Sequence, residues 1–80
     1  MEVDPGEFIR GAAAVLDVDA KTLALDTRFR DVVPNWSSLF GYGLIVWMDE
    51  TYGFDCPVDA FQRADRLGDL LEMIRKHESA

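Results

Sequence analysis

Trp36-Ser37-Ser38-Leu39-Phe40-Gly41-Tyr42-Gly43-Leu44-Ile45-Val46-Trp47-Met48-Asp49-Glu50-Thr51-Tyr52-Gly53 is the stretch that decides how this chain of 80 residues folds. Advancing about 100° per residue from Ser38, Gly41, Leu44, Ile45, Met48 and Tyr52 gather on one side, the stripe by which an amphipathic helix faces a core. Leu39, Tyr42 and Val46 gather on the other side. A surface helix in a small domain has to bury only one face, so the second apolar stripe reads as a face offered to another molecule. That stripe starts at Ser38, and Gly53 is the expected left-handed residue just past the helix end.

Working outward, Asp4-Pro5-Gly6-Glu7 has the pattern of a helix start, with Asp4 as N-cap, Pro5 at the first helical position and Glu7 placed to return the capping bond. The first helix then runs to about Leu16, with Phe8, Ala12, Val15 and Leu16 spaced as an inward stripe, and it ends where Asp17, Val18 and Asp19 break the pattern. Residues 17–36 form a long connection tied down by Leu23, Leu25, Phe29, Val32 and Val33; Thr27 is a candidate cap for a short turn and Phe29 its aromatic plug. Beyond the central helix, Pro57 opens a short helical segment over residues 58–63 whose large apolar side chain is Phe61. Asp65 reads as the cap of a last helix carrying Leu67, Leu70, Leu71 and Ile74 inward, with Arg75, Lys76 and His77 at its C-terminal, cation-favouring end. The expected fold is an all-α, small four-helix bundle over residues 1–80, a single domain with three main helices, one short helix and a long loop between the first two.

Composition narrows the function. Fifteen acids against eight bases give a net charge of −7, which argues against a nucleic-acid partner, since phosphate backbones are met by clustered Lys and Arg. The distribution is more telling than the total. Between Arg30 and Arg63 there is no Lys or Arg, while Asp31, Asp49, Glu50, Asp55 and Asp59 all lie there, so the central helix sits in an acidic zone suited to steering basic protein surfaces. The single cysteine, Cys56, forms no internal disulfide, no secretory leader pattern is visible, and the longest apolar run, Leu44 to Met48, is too short to span a bilayer. A cytoplasmic, monomeric protein is expected.

Four strings, in register over Glu7 to Lys76, resemble the acyl carrier protein family. Leu25-Asp26-Thr27-Arg28-Phe29-Arg30-Asp31-Val32 is similar to the family's L-D-T-x-F-x-D-L, and Ser38-Leu39 to its D-S-L at the start of the central helix. Tyr52-Gly53 followed by Cys56-Pro57 resembles its aromatic-small helix end and Ile-Pro entry to the next segment, and Leu67 to Ile74 falls where it places its last helix. The resemblance implies that Ser38 is the attachment point of 4′-phosphopantetheine, transferred from coenzyme A by a phosphopantetheinyl transferase, and that the arm carries acyl groups as thioesters. It further implies acyl-transferring or acyl-activating enzymes with basic docking surfaces as partners, in fatty-acid or specialised lipid and secondary-metabolite biosynthesis. Two positions depart from the family. Ser37 stands where an Asp is usual, and Phe40, Gly41, Tyr42 and Gly43 replace the acidic residues common soon after the serine, so a specialised carrier with dedicated partners is expected.

Each singled-out residue also has a plainer reading. A serine at a helix start is most often a cap, but Ser37 can take that role and leave Ser38 outward. Leu39, Tyr42 and Val46, with Gly43 beside the serine and Asp49 and Glu50 toward the far end, form the expected partner face, although single exposed apolar residues are ordinary. Trp47 reads as a core-edge residue, with a part in an acyl pocket with Phe40 and Phe61 as the sharper alternative. Cys56 reads as a small buried hydrophobe, and His77 has no partner set for metal binding or catalysis. Asp17 and Asp19 lack the spacing of a calcium loop. No nucleophile–base–orienter set can be assembled, so no catalytic residue and no metal site are expected, and the chain reads as a non-enzyme. The rival reading is an unmodified carrier-like helical module that binds a protein partner.

Overall fold

Asp4 starts the first helix as its neighbours demand: its Oδ2 accepts from the Glu7 N–H at 3.1 Å, with Pro5 at the first helical position. Glu7 returns no bond, so only the forward half of the expected capping box forms. The computed structural model describes residues 3–79. Within them lie α1 (Pro5–Leu16), α2 (Phe29–Val32), α3 (Ser38–Tyr52), α4 (Val58–Arg63) and α5 (Leu67–Ser79), with a 3₁₀ turn at Ala20–Thr22 and no strand. The chain is a small all-α bundle, and the expected three long helices and short α4 stand where their patterns put them.

Helix ends follow backbone chemistry. Asp17 closes α1 in the left-handed region at φ 58°, a conformation Asp tolerates better than most side chains, and its N–H bonds the Ala13 carbonyl. Gly53 closes α3 at φ 67°, and the following N–H, from Phe54, reaches back to the Met48 carbonyl while the Phe54 ring is buried.

The connection between α1 and α3 is more structured than a loop held by apolar pegs. Asp19 caps the 3₁₀ turn by accepting from the Lys21 N–H at 3.0 Å. Thr27 does cap a turn, but the one before it, its Oγ1 accepting from the Ala24 N–H at 2.8 Å, and α2 starts at Phe29 without a side-chain cap. Burial of Leu23 and Phe29 anchors the segment, and Phe29 is wholly enclosed. A four-residue helix carries too little periodic pattern to be read from sequence.

Asp65 is not the cap of α5. Its carboxylate pairs instead with Arg28, 3.1 Å away on the surface, and the helix begins two residues later at Leu67. The first-turn N–H groups of α5 are satisfied by the long connection: Leu67 donates to the Thr27 carbonyl at 3.1 Å and Gly68 to the Leu25 carbonyl at 2.7 Å. Asp69 reaches back from inside α5 to accept from the Asp65 and Arg66 N–H groups, each at 2.9 Å. Those two bonds hold its carboxyl below the usual carboxylate range.

The core is built from Phe8, Phe29, Leu44, Met48, Leu67, Leu70 and Ile74, all wholly buried, and no polar or charged residue is buried among the described residues. Glycines set how closely α1 and α3 approach. The Trp47 indole lies over Gly11, where a Cβ would stand 2.3 Å from its Cζ2, and a Cβ at Gly43 would stand 3.2 Å from Val15 Cγ1. With α3 held against α1 on that side, the turn carrying Leu39 and Tyr42 is left facing out.

Candidate functional site

Ser37 occupies the N-cap position of α3 in extended conformation (φ −138°, ψ 169°), yet its side chain makes no capping bond and the first turn holds no acid. The N–H groups of that turn are therefore left without a side-chain acceptor, at the positive end of a 15-residue helix. Ser38, the first helical residue, is exposed, and its hydroxyl has no hydrogen-bond partner among the described residues. The Phe40 N–H turns back to the Ser37 carbonyl at 3.1 Å, and an exposed hydroxyl beside a helix start without a side-chain cap is a place where an added phosphate oxygen would meet N–H donors and the positive end of the dipole.

The rest of the predicted face divides. Leu39 is 78% exposed and Tyr42 66% exposed. Val46 is half-buried, a turn further along, and does not pack into the core cluster. Asp49 and Glu50 are exposed at the far end of α3 and pair with no charge among the described residues. Gly43 is turned toward Val15 of α1, so its lack of a side chain serves helix packing within the chain.

Between the N-terminal half of α3 and α4 runs a groove of about 350 Å³, with Ser38 on its lining together with Trp36, Tyr42, Ile45, Val58 and Phe61. Gly41 forms its floor, where a Cβ would come within 3.0 Å of Phe61 Cε2 and 3.6 Å of Trp36 Cζ2. Behind it the rings run in contact from Phe40 to Trp36 (5.7 Å, stacked), Trp36 to Phe29 (5.9 Å) and Phe29 to Phe61 (5.4 Å). Arg30 locks this wall. Its guanidinium donates to the carbonyls of Phe61 and Ala64 and lies over the Phe29 and Phe61 rings at 4.7 and 5.3 Å.

Sequence reasoning missed Val58, the third of the large exposed apolar side chains at 62%, and so missed that the apolar surface by Ser38 crosses from α3 to α4. The available signal was a β-branched residue at the first position of a short helix flanked by Asp55 and Asp59, three residues before Phe61. Trp47 does not meet Phe40 and Phe61. It packs on Phe8 (5.2 Å) and edge-on to Tyr52 (5.7 Å) on the α1 side.

The remaining candidates lie elsewhere. Cys56 is buried, and burial, with Asp55 and Asp59 nearby, raises its thiol pKa, which suppresses the thiolate. His77 is exposed with its ring 5.3 Å from Phe54. A second cleft, of about 450 Å³, lies at the opposite end of α3 between Trp47, Tyr52, Asp4, Glu7 and Glu78. Burial and those three carboxylates raise the Tyr52 phenol above its ordinary value. No group of three His, Cys, Asp or Glu suited to a metal ion occurs among the described residues, and no described helix is long and apolar enough to cross a membrane. Compared with protein-family models, with curated proteins and with solved structures, the chain gives no significant match.

Proposed function

We propose that the chain is an acyl carrier, with 4′-phosphopantetheine joined to the Ser38 hydroxyl as a phosphodiester and acyl groups carried as thioesters at the arm's end. The observation that carries the reading is the state of Ser38: exposed, without a hydrogen-bond partner among the described residues, and seated at the N-terminus of the central helix, which has no side-chain cap. The residues fit a phosphodiester there, since the first turn has no capping side chain to compete for its N–H groups and holds no acid to repel the single negative charge. When bound, the arm supplies a reactive thiol that the protein itself lacks in accessible form, Cys56 being buried. Leu39, Tyr42, Val46 and the added Val58 form the docking face, and the acids Asp49, Glu50, Asp55 and Asp59 steer basic enzyme surfaces toward it: a phosphopantetheinyl transferase first, then acyl-activating or acyl-transferring enzymes. Such encounters need modest area and fast release, which suits a small apolar face in an acidic field. We place the protein in the cytoplasm as a monomeric non-enzyme.

Ser37 favours a second reading, an unmodified helical module that binds a protein through the same face, because no carboxylate precedes Ser38 to help hold the attachment site. Intact-mass spectrometry after co-expression with a phosphopantetheinyl transferase separates the two. The carrier reading expects the wild type to gain one phosphopantetheine and Ser38→Ala to gain none. Absence of the adduct across transferases of differing breadth would leave the binding module as the function.

A further inference from the structure

We propose that the groove between α3 and α4 selects the class of acyl group, taking a short, flat, ring-bearing acyl such as an aroyl group in preference to a linear chain. The proposal rests on the carrier reading for how the acyl group arrives, while the preference is a property of the folded groove.

Three observations lead to it. Three rings, Trp36, Tyr42 and Phe61, stand around the Gly41 floor, with Ile45 and Val58 between them and Arg30 and Gln62 at the polar margin, and a planar ring gains offset or edge-on contacts there that a polymethylene chain does not. The groove is backed by packed side chains: Phe61 is buried against wholly buried Phe29, and Arg30 is bonded to the Phe61 and Ala64 carbonyls. A growing linear chain would have to part this packed wall, and packed interiors yield only at a cost. The size agrees as well. A cavity of roughly 150 Å³ suffices for benzene, and the groove's volume of about 350 Å³ holds one such ring with its carbonyl and leaves the outer end open. Ser38 on the lining places the root of a flexible arm where it can fold back over that opening.

The test uses the 80-residue chain with Ser38→Ala, which has no hydroxyl at residue 38 to carry an arm, so its outcome is separate from whether Ser38 is modified. It is titrated with the N-acetylcysteamine thioesters of benzoate and of hexanoate and followed by two-dimensional amide NMR. Expected are saturable shifts at Gly41, Tyr42, Ile45, Val58 and the Trp36 indole N–H, with benzoyl binding several-fold tighter than hexanoyl. Val58→Arg, at an exposed position, is expected to abolish those shifts while the melting temperature stays near that of the parent. Equal or tighter hexanoyl binding, shifts centred on the Trp47–Tyr52 cleft, or no saturation up to the solubility limit would each overturn the assignment. An adduct on wild-type Ser38 alongside such a result would leave the carrier reading standing and remove only the cargo preference.

Discussion

Gly11→Ala adds one methyl group to the middle of α1, and two effects of opposite sign compete. In a helix interior Ala is favoured over Gly by about 1 kcal/mol, so propensity alone predicts a more stable protein. The new Cβ, however, would stand 2.3 Å from Trp47 Cζ2, 2.8 Å from Cε2 and 2.9 Å from Nε1. Carbon atoms in contact sit at about 3.5–4.0 Å, so the whole indole has to withdraw by about 1 Å or more. Overpacking of this kind costs about 1–3 kcal/mol, and loosening the contact between Trp47 and Phe8 forfeits part of a further ~0.5–1.5 kcal/mol. Collision outweighs propensity, leaving a net loss of about 0.5–3 kcal/mol, which for a domain of this size lowers the melting temperature by about 2–20 °C. Gly43→Ala is the internal reference: it has the same propensity gain, but its Cβ would lie 3.2 Å from a single methyl of Val15, which can give by a few tenths of an ångström. Its melting temperature is expected within about 4 °C of wild type, because the ~1 kcal/mol propensity gain offsets the mild crowding. Thermal unfolding followed by circular dichroism measures both, and the Trp47 indole N–H resonance reports whether the ring has moved. A Gly11→Ala protein as stable as wild type, or one with an unmoved indole signal, would refute the idea that close approach at this glycine holds α3 in place.

Tyr42→Asp is expected to weaken binding to a transferase or other docking enzyme while leaving the melting temperature nearly unchanged, since Tyr42 is 66% exposed. Leu44→Ala, two residues on but wholly buried, should cost about 2–5 kcal/mol; a comparable loss from Tyr42→Asp would mean that the outward stripe belongs to the core. Asp69 gives a pH signature. Its carboxyl is held low in the fold by the Arg66 and Asp65 N–H groups, so the stability it contributes is present above the ordinary Asp value of about 4 and is lost as pH falls through the lowered folded value. The gap in melting temperature between wild type and Asp69→Asn should therefore be widest near neutrality and close in acid, and a gap that ignores pH would contradict the assignment.

The parts of this molecule that could be read in advance are those governed by repeating patterns or single-residue rules. The Asp4-Pro5 start, the Gly53 stop, and the inward spacing of Phe8, Leu16, Leu44, Met48, Leu67 and Ile74 rest on local rules, and the helices formed where those rules put them. The outward turn at Leu39 and Tyr42 was readable for the same reason, being a surplus of apolar residues over what one core face needs. What escaped notice depends on contacts between distant residues. No periodicity marks α2, which is only four residues long and is anchored by the burial of Phe29. The groove arises from the meeting of two helices, so Val58 gains its meaning only once α4 lies beside α3. Asp65 looked like a cap because the true acceptors are main-chain oxygens some forty residues earlier in the chain, and carbonyls leave no letter in a sequence.

That last joint has a consequence for how the chain can vary. Leu67 and Gly68 are held by the Thr27 and Leu25 carbonyls, so the union of the two distant segments depends on peptide groups that nearly any residue supplies. The bonds of this seam make no demand on the side chains at 25, 27 and 67, although Leu67 is wholly buried in the core and the Thr27 hydroxyl caps its own turn, whereas growth at position 68 is resisted, because a Cβ there would crowd the Leu25 oxygen at 3.0 Å. Two chains could thus share this seam while sharing few letters around it.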